Sequence, residues 1–266
     1  MLTLNDFFSD KVQTCHKDFN PNATYLHTWA EKLFIERKNS KPDVQYINYK
    51  LNNFGHRCDD FKKIHDKKHI LFAGCSFTFG EGVGYKENWS GRLYSSLKNI
   101  YECDGYYSLG FQNGVISQIV HNIIRYCENF GDPEIIICMF PDAVRKITVN
   151  DNNEFIIDYK FNDVESAEGR SRAYHNIFFL EKYCSLKNIK LVWSTWHRGD
   201  AEFYKKIPLN NFLLIKDEDI LLNAKNQNEK SHPLYKIARD YSHPGLRYHD
   251  GLANIFYDEF IKRYEK

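Results

Sequence analysis

Two short segments of this chain carry residue types spaced for hydrolytic chemistry. The first is Gly74-Cys75-Ser76-Phe77-Thr78-Phe79-Gly80, which follows directly on the apolar run His69-Ile70-Leu71-Phe72-Ala73. A serine at the end of a buried strand, flanked by glycines, sits on a tight turn with its hydroxyl exposed and its backbone N–H unused. Such a serine can attack a carbonyl carbon while its own amide helps to hold the oxyanion. The second segment is Arg239-Asp240-Tyr241-Ser242-His243-Pro244-Gly245, just ahead of the last apolar-periodic stretch. Asp240 and His243 are three apart, so one turn can bring the carboxylate to the imidazole Nδ1–H. The aspartate then fixes the tautomer and leaves Nε2 to accept the serine proton. Taken singly, each segment also has a plainer reading: a strand-to-loop turn of small residues, and an aspartate capping a turn beside a surface histidine.

Other residues compete for these roles and fit them less well. Gly80-Glu81-Gly82-Val83-Gly84 follows a strand, but its spacing is not the Gly-x-Gly-x-x-Gly of a dinucleotide loop, and no Walker lysine follows. Cys75 as nucleophile should point away from a serine at the next position. His249 lies six residues beyond His243 and lacks a carboxylate at the spacing that orients His243. Trp193, Trp196 and His197 follow a late apolar strand, where packing is the favoured role; Trp196, with Thr78 and Arg145, is the candidate lining of a substrate cleft. The seven cysteines (Cys15, Cys58, Cys75, Cys103, Cys127, Cys138 and Cys184) show no Cys-x-x-Cys pair and no close Cys/His ladder. Neither a metal nor any other cofactor is expected, and the thiols read as small buried hydrophobes of a reducing compartment.

The elements that would position these residues alternate in type. After the strand at 69–73 and its Gly-rich loop, a helix is expected from about Glu87 to Leu97. A short strand follows at Tyr106 to Leu109, and then a helix from Val115 to Glu128 with an apolar stripe. Glu134 to Phe140 and Ile189 to Ser194 are continuous apolar runs, which belong to parallel strands covered on both faces. Between them, residues 145–163 read as a surface hairpin and Ser166 to Ser185 as a helix. The last helix is expected from about Asp250 to Tyr264, and residues 208–235 show no clear pattern. Residues 1–65 read as an N-terminal extension packed on a main domain at 66–266, with a short helix at Thr24 to Lys38 and a strand at Val44 to Tyr49. Strands alternating with helices predict a three-layer α/β/α sandwich around a mostly parallel sheet, with ligands bound beyond the carboxyl ends of the strands. That is where Ser76 falls.

Taken together, Gly-x-Ser-x-Thr-x-Gly after the first strand and Asp-x-x-His-Pro before the last helix resemble the SGNH (GDSL-type) hydrolases. The resemblance spans roughly residues 45–264 and implies a flavodoxin-like sandwich that cleaves carboxylic esters without a metal. It implies Ser76 as nucleophile, His243 as base and acid, and Asp240 as orienter, with Cys75 replacing the name-giving aspartate. The oxyanion would be held by the amide of Ser76 and by Gly114 in Ser108-Leu109-Gly110-Phe111-Gln112-Asn113-Gly114, with Asn113 as the alternative in register. The family's third block, Gly-x-Asn-Asp, is replaced by Met139-Phe140-Pro141-Asp142-Ala143-Val144-Arg145, without an asparagine; Asn113 or Arg145 is the candidate substitute. The implied substrate is a small-molecule or glycan ester, such as an O-acetylated sugar. Sequences with the Gly-Cys-Ser-Phe-Thr form also occur among bacteriophage-encoded proteins, so the rival reading is an inactive binding or structural protein on this fold, for instance a virion component.

Composition narrows the partners. Of 266 residues, 36 are Lys or Arg and 35 are Asp or Glu, a net charge of +1 that draws the chain to neither nucleic acid nor an anionic membrane. No apolar run is long enough for insertion into a bilayer. Met1 to Asp6 lacks the basic and apolar regions of a signal peptide, so a soluble, cytoplasmic protein is expected. The 42% hydrophobic and 16% aromatic fractions supply a core without disulfide staples.

Overall fold

Short-range pattern and long-range pairing disagree at the N-terminal end. The computed structural model describes residues 24–26, 47–62, 68–149, 155–158, 163–226, 228, 230, 235–236, 238 and 243–265. Thr24–Leu26 (β1) pairs antiparallel with Asn48–Lys50 (β2), Thr24 opposite Lys50. The helix expected from Thr24 therefore does not begin there: a β-branched and an aromatic residue follow their cross-strand partners instead of a local helical pattern. The remainder of that expected helix, and residues 44–46 of the expected strand, lie outside the described residues.

From His69 onward the alternation is regular. His69–Gly74 (β3) leads to Ser76–Phe79 (α1) and Trp89–Tyr101 (α2). Gly105–Ser108 (β4), Ile116–Phe130 (α3) and Ile135–Phe140 (β5) follow. Lys146–Val149 (β6) and Phe155–Asp158 (β7) form the expected antiparallel hairpin. Asp163–Leu186 (α4), Lys190–Thr195 (β8), Arg198–Tyr204 (α5), Asp217–Leu222 (α6) and Leu246–Tyr264 (α7) complete the order. The main sheet runs β4-β3-β5-β8 with every neighbour parallel. In chain order this is 2-1-3-4, the flavodoxin-like arrangement.

Side chains of each strand alternate between two cores. Leu71, Ala73, Ile136, Cys138, Leu191 and Trp193 face α3 and α4. Ile70, Phe72, Ile135, Ile137, Met139 and Val192 face α2 and α7. Both faces are thus covered, which is why β5 is buried at all six positions and reads as an uninterrupted apolar run. At the outer edge of β8, Trp193 N–H donates to Asn211 O (3.0 Å) and Leu213 N–H to Trp193 O (2.8 Å). A fifth strand reduced to a single parallel bridge therefore stands within the stretch that has no sequence pattern. None of the described helices is long and apolar enough to cross a membrane.

The last helix begins at Leu246, four residues before the expected Asp250, because Leu246 and His249 are buried and extend its packed face backwards. In the second turn of α7, Gly251 lies against α6 so closely that a Cβ would overlap the Ile220 carbonyl. Ala normally stabilises a helix interior over Gly by about 1 kcal/mol. Here overpacking reverses the sign, and Gly251→Ala should destabilise the protein by about 1–3 kcal/mol. A raised Tm in a thermal melt of that variant would contradict this packing.

Candidate active site

The end of β3 turns at once into α1, and Ser76 is its first residue, 8% exposed. Cys75 O accepts from the amides of Thr78 (2.9 Å) and Phe79 (3.0 Å), which winds the turn tightly. His243 stands three residues before α7 and arrives from the far end of the chain. Its Nε2 is 2.8 Å from Ser76 Oγ, hydrogen-bond distance for proton transfer. Asp240, the expected orienter, lies outside the described residues. His249 is elsewhere: it is buried, and its Nδ1 accepts from Trp89 N–H at 3.1 Å. Burial lowers its pKa to about 3, so it is a neutral core group.

Three residues around this pair escaped the sequence reading. Phe77 sets its ring edge-on to His243, with centroids 5.7 Å apart. Glu81 Oε2 is 3.7 Å from His243 Nε2, and Glu81 Oε1 accepts from Gln112 at 2.8 Å. A carboxylate thus stands on the serine side of the imidazole. Its only sequence signal was its place in the glycine loop after Ser76.

The loop after β4 lies directly on the turn that carries Ser76. A Cβ on Gly110 would overlap Phe79 N, and one on Gly114 would stand 3.3 Å from Cys75 Cα. Asn113 is exposed, with φ of 56°. The loop after β5 supplies the opposite wall. Arg145 Nε donates to Asp142 at 2.9 Å, and its guanidinium lies 5.4 Å over the Trp196 ring. Trp196 in turn stacks on Phe77 at 5.3 Å and 11°. Arg145 and Trp196, both expected at the cleft, therefore form one layered wall with Phe77. Thr78 does not join them: it is fully buried, and its hydroxyl donates to Ala73 O at 3.5 Å, because on α1 its side chain points back beneath the strand end.

The sequence matches no protein-family model and no curated protein. Solved structures similar to it include the psychrotrophic esterase EstA from Pseudoalteromonas sp., at 11% identity over 75% of this chain and 100% of that chain, with a TM-score of 0.44. TesA aligns at 9% identity over 73% and 98% of the two chains, TM-score 0.47. A GDSL-like lipase from Bacteroides thetaiotaomicron aligns at 16% identity over 73% and 88%, TM-score 0.38.

Two buried polar arrangements hold the loops in place. Arg57, 2% exposed, donates to Phe79 O (3.0 Å), Gly80 O (2.7 Å) and Val83 O (3.0 Å), so it caps the carbonyl end of α1. Its guanidinium also lies 4.4 Å over the Tyr49 ring, and the Tyr49 hydroxyl accepts from Gly82 N–H at 2.7 Å. Burial lowers the Arg57 pKa to about 10, which leaves it charged at neutral pH. On the other side, Asp200 accepts from the Ala143 amide (2.8 Å) and Arg170 (3.0 Å) and lies 2.9 Å from His197 Nδ1. Burial alone would raise the Asp200 carboxyl, but His197, Ala143 and Arg170 outweigh it and hold it below its ordinary 3.8. The Asp200 carboxylate beside Nδ1 raises the His197 pKa above its ordinary 6.5, against burial, which lowers it. Among the described residues, no group of three or more His, Cys, Asp or Glu is arranged to hold a metal ion.

Two outcomes follow. Arg57→Ala strands three carbonyls and should cost about 3 kcal/mol or more. Arg57→Lys, which lacks the planar fork, should recover only part of this; urea midpoints at unchanged slope would measure both. The His197 contribution has a raised folded pKa, so it is complete below pH 6.5 and fades as pH rises through that folded value. Asp200, with its lowered pKa, stays ionised throughout this range. The Tm advantage of wild type over His197→Gln should therefore shrink steadily above pH 6.5. An advantage that grows with pH would refute the pairing.

Proposed function

We propose that this protein is a serine hydrolase of the SGNH kind, cleaving carboxylic esters. The observation that carries the reading is the 2.8 Å approach of His243 Nε2 to Ser76 Oγ at the carboxyl edge of a parallel sheet. In this reading Ser76 attacks the ester carbonyl while His243 takes its proton, and Asp240 holds the imidazole from Nδ1. The tetrahedral oxyanion is held by the amides of Ser76 and Gly114, with Asn113 beside them. Collapse expels the alcohol, protonated by His243, and leaves an acyl group on Ser76. Water activated by the same imidazole then releases the acid and restores the serine.

The loop after β5 sets the expected rate. Pro141 stands where the family pattern has an asparagine near the oxyanion, and one missing donor typically costs about 100- to 1000-fold. Phe77, next to Ser76, stacks on Trp196, over which Arg145 lies; this wall with a charged end favours a small acyl group on a polar carrier over a long lipid chain. The same Pro141 favours the second reading, a non-catalytic binding protein on this fold.

Labelling with a fluorophosphonate probe separates the two. Wild type should label stoichiometrically, while Ser76→Ala and His243→Ala should not, and both should lose at least about 1000-fold in kcat on p-nitrophenyl acetate. A folded wild-type protein that neither labels nor turns over that ester would be the binding protein.

A further inference from the structure

We infer that the groove beside the nucleophile turn binds an anionic group on the substrate, so that this enzyme prefers esters whose carrier is acidic. The inference rests on the hydrolase reading and specifies its substrate class. A cavity of about 410 Å³ lies between the start of α3, the loop after β5, β6 and one face of α4. Two of its walls are continuous with the site. Val115 follows Gly114, where an added Cβ would stand 3.3 Å from Cys75 Cα, and Arg145 belongs to the layered wall over Trp196 and Phe77.

The charge of the groove is one-sided. Arg145, Lys146 and Arg172 line it, and none of its described lining residues is Asp or Glu. The carboxylates that meet Arg145 and Arg172 stand outside the lining, as does Asp158, opposite Lys146 in the β6–β7 register. Asp142 holds Arg145 from behind, and Glu168 meets Arg172 at 3.6 Å between two well-exposed side chains, a pair that solvent weakens. Ser117, on the first turn of α3, forms part of the same wall; α3 is 15 residues long and its N-cap, Val115, supplies no side-chain acceptor. The positive end of that helix adds to the field of the three cations. With a net charge of +1 for the whole chain, this is a local field and not the edge of a global one.

A second cavity offers a contrast. It measures about 320 Å³, is lined by Trp196, and sets Glu202, Asp217 and Glu218 against Arg198 and Lys216. Its mixed charge gives no preference for an anion. The cationic groove has room for a monosaccharide-sized acid, so a carboxylate, sulfate or phosphate on the carrier would meet Arg172 and Lys146 while the ester reaches Ser76.

The test compares two esters with matched phenolic leaving groups, 4-acetoxybenzoate and the neutral 4-acetoxybenzamide, on the full-length protein. The benzoate should be favoured about tenfold or more in kcat/KM, mainly through KM, with the advantage falling as salt is raised. In the double variant Lys146→Gln/Arg172→Gln the ratio should drop to about one, with folding checked by Tm. Turnover of both esters at equal efficiency by wild type would overturn the anion site and leave the hydrolase reading standing. If wild type hydrolyses neither, fluorophosphonate labelling decides the hydrolase reading and binding decides the groove. In that case 4-hydroxybenzoate raising Tm more than 4-hydroxybenzamide, in wild type but not in the double variant, supports the anion site. Equal shifts overturn it.

Discussion

A guanidinium with its hydrogen bonds spent on main-chain carbonyls is the contact on which the rest of the site depends. Arg57 is buried among Tyr49, Phe79 and Tyr85, and its donors reach three carbonyls of the turn that follows Ser76. Removing such a charge from water costs several kcal/mol unless its donors are met. Carbonyls at the negative end of α1 and in the turn beyond it meet those of Nη1 and Nη2, while Nε is buried without a hydrogen-bond partner among the described residues. The arrangement works in both directions: the carbonyls of a four-residue helix, too short to satisfy itself, acquire partners, and the cation acquires a negative environment. Through it the segment 47–62, far from Ser76 in sequence, becomes part of what holds the serine still.

The opposite rim is held by a carboxylate instead of a cation. Asp200, at the start of α5, fastens the loop after β5 by the Ala143 amide and ties it to α4 through Arg170. The consequence reaches chemistry because Arg145 and Trp196 project from the two loops so joined. Their stack on Phe77 makes one side of the cleft a rigid cation–aromatic surface. Glu81 and Gln112 make the other side acidic and hydrogen-bonded. Ser76 thus stands between regions of opposite charge.

Periodicity carried most of the fold. Runs such as Ile70–Ala73 and Ile135–Phe140 announce strands covered on both faces, and the stripe on 116–130 announces a helix against them, because burial on a given face repeats locally. Where a segment's conformation is set by a distant partner, the local pattern misleads. Thr24–Leu26 is a strand because Asn48–Lys50 lies beside it, and 211–213 extends the sheet because the edge of β8 has unpaired amides and carbonyls to offer.

The site divides along the same line. The sequence by itself determined the candidates: a serine after a buried strand and a histidine before the last helix are recognisable because turn chemistry is written in neighbouring residues. Only the tertiary structure decided that Ser76 Oγ and His243 Nε2 meet, that His249 is a core group, and that Thr78 turns inward. It alone brought Arg57 to the turn and Glu81 to the imidazole. Arg57 left no trace in the pattern because its partners are main-chain carbonyls, which every residue possesses. Which of them a side chain reaches is set by packing over the whole chain.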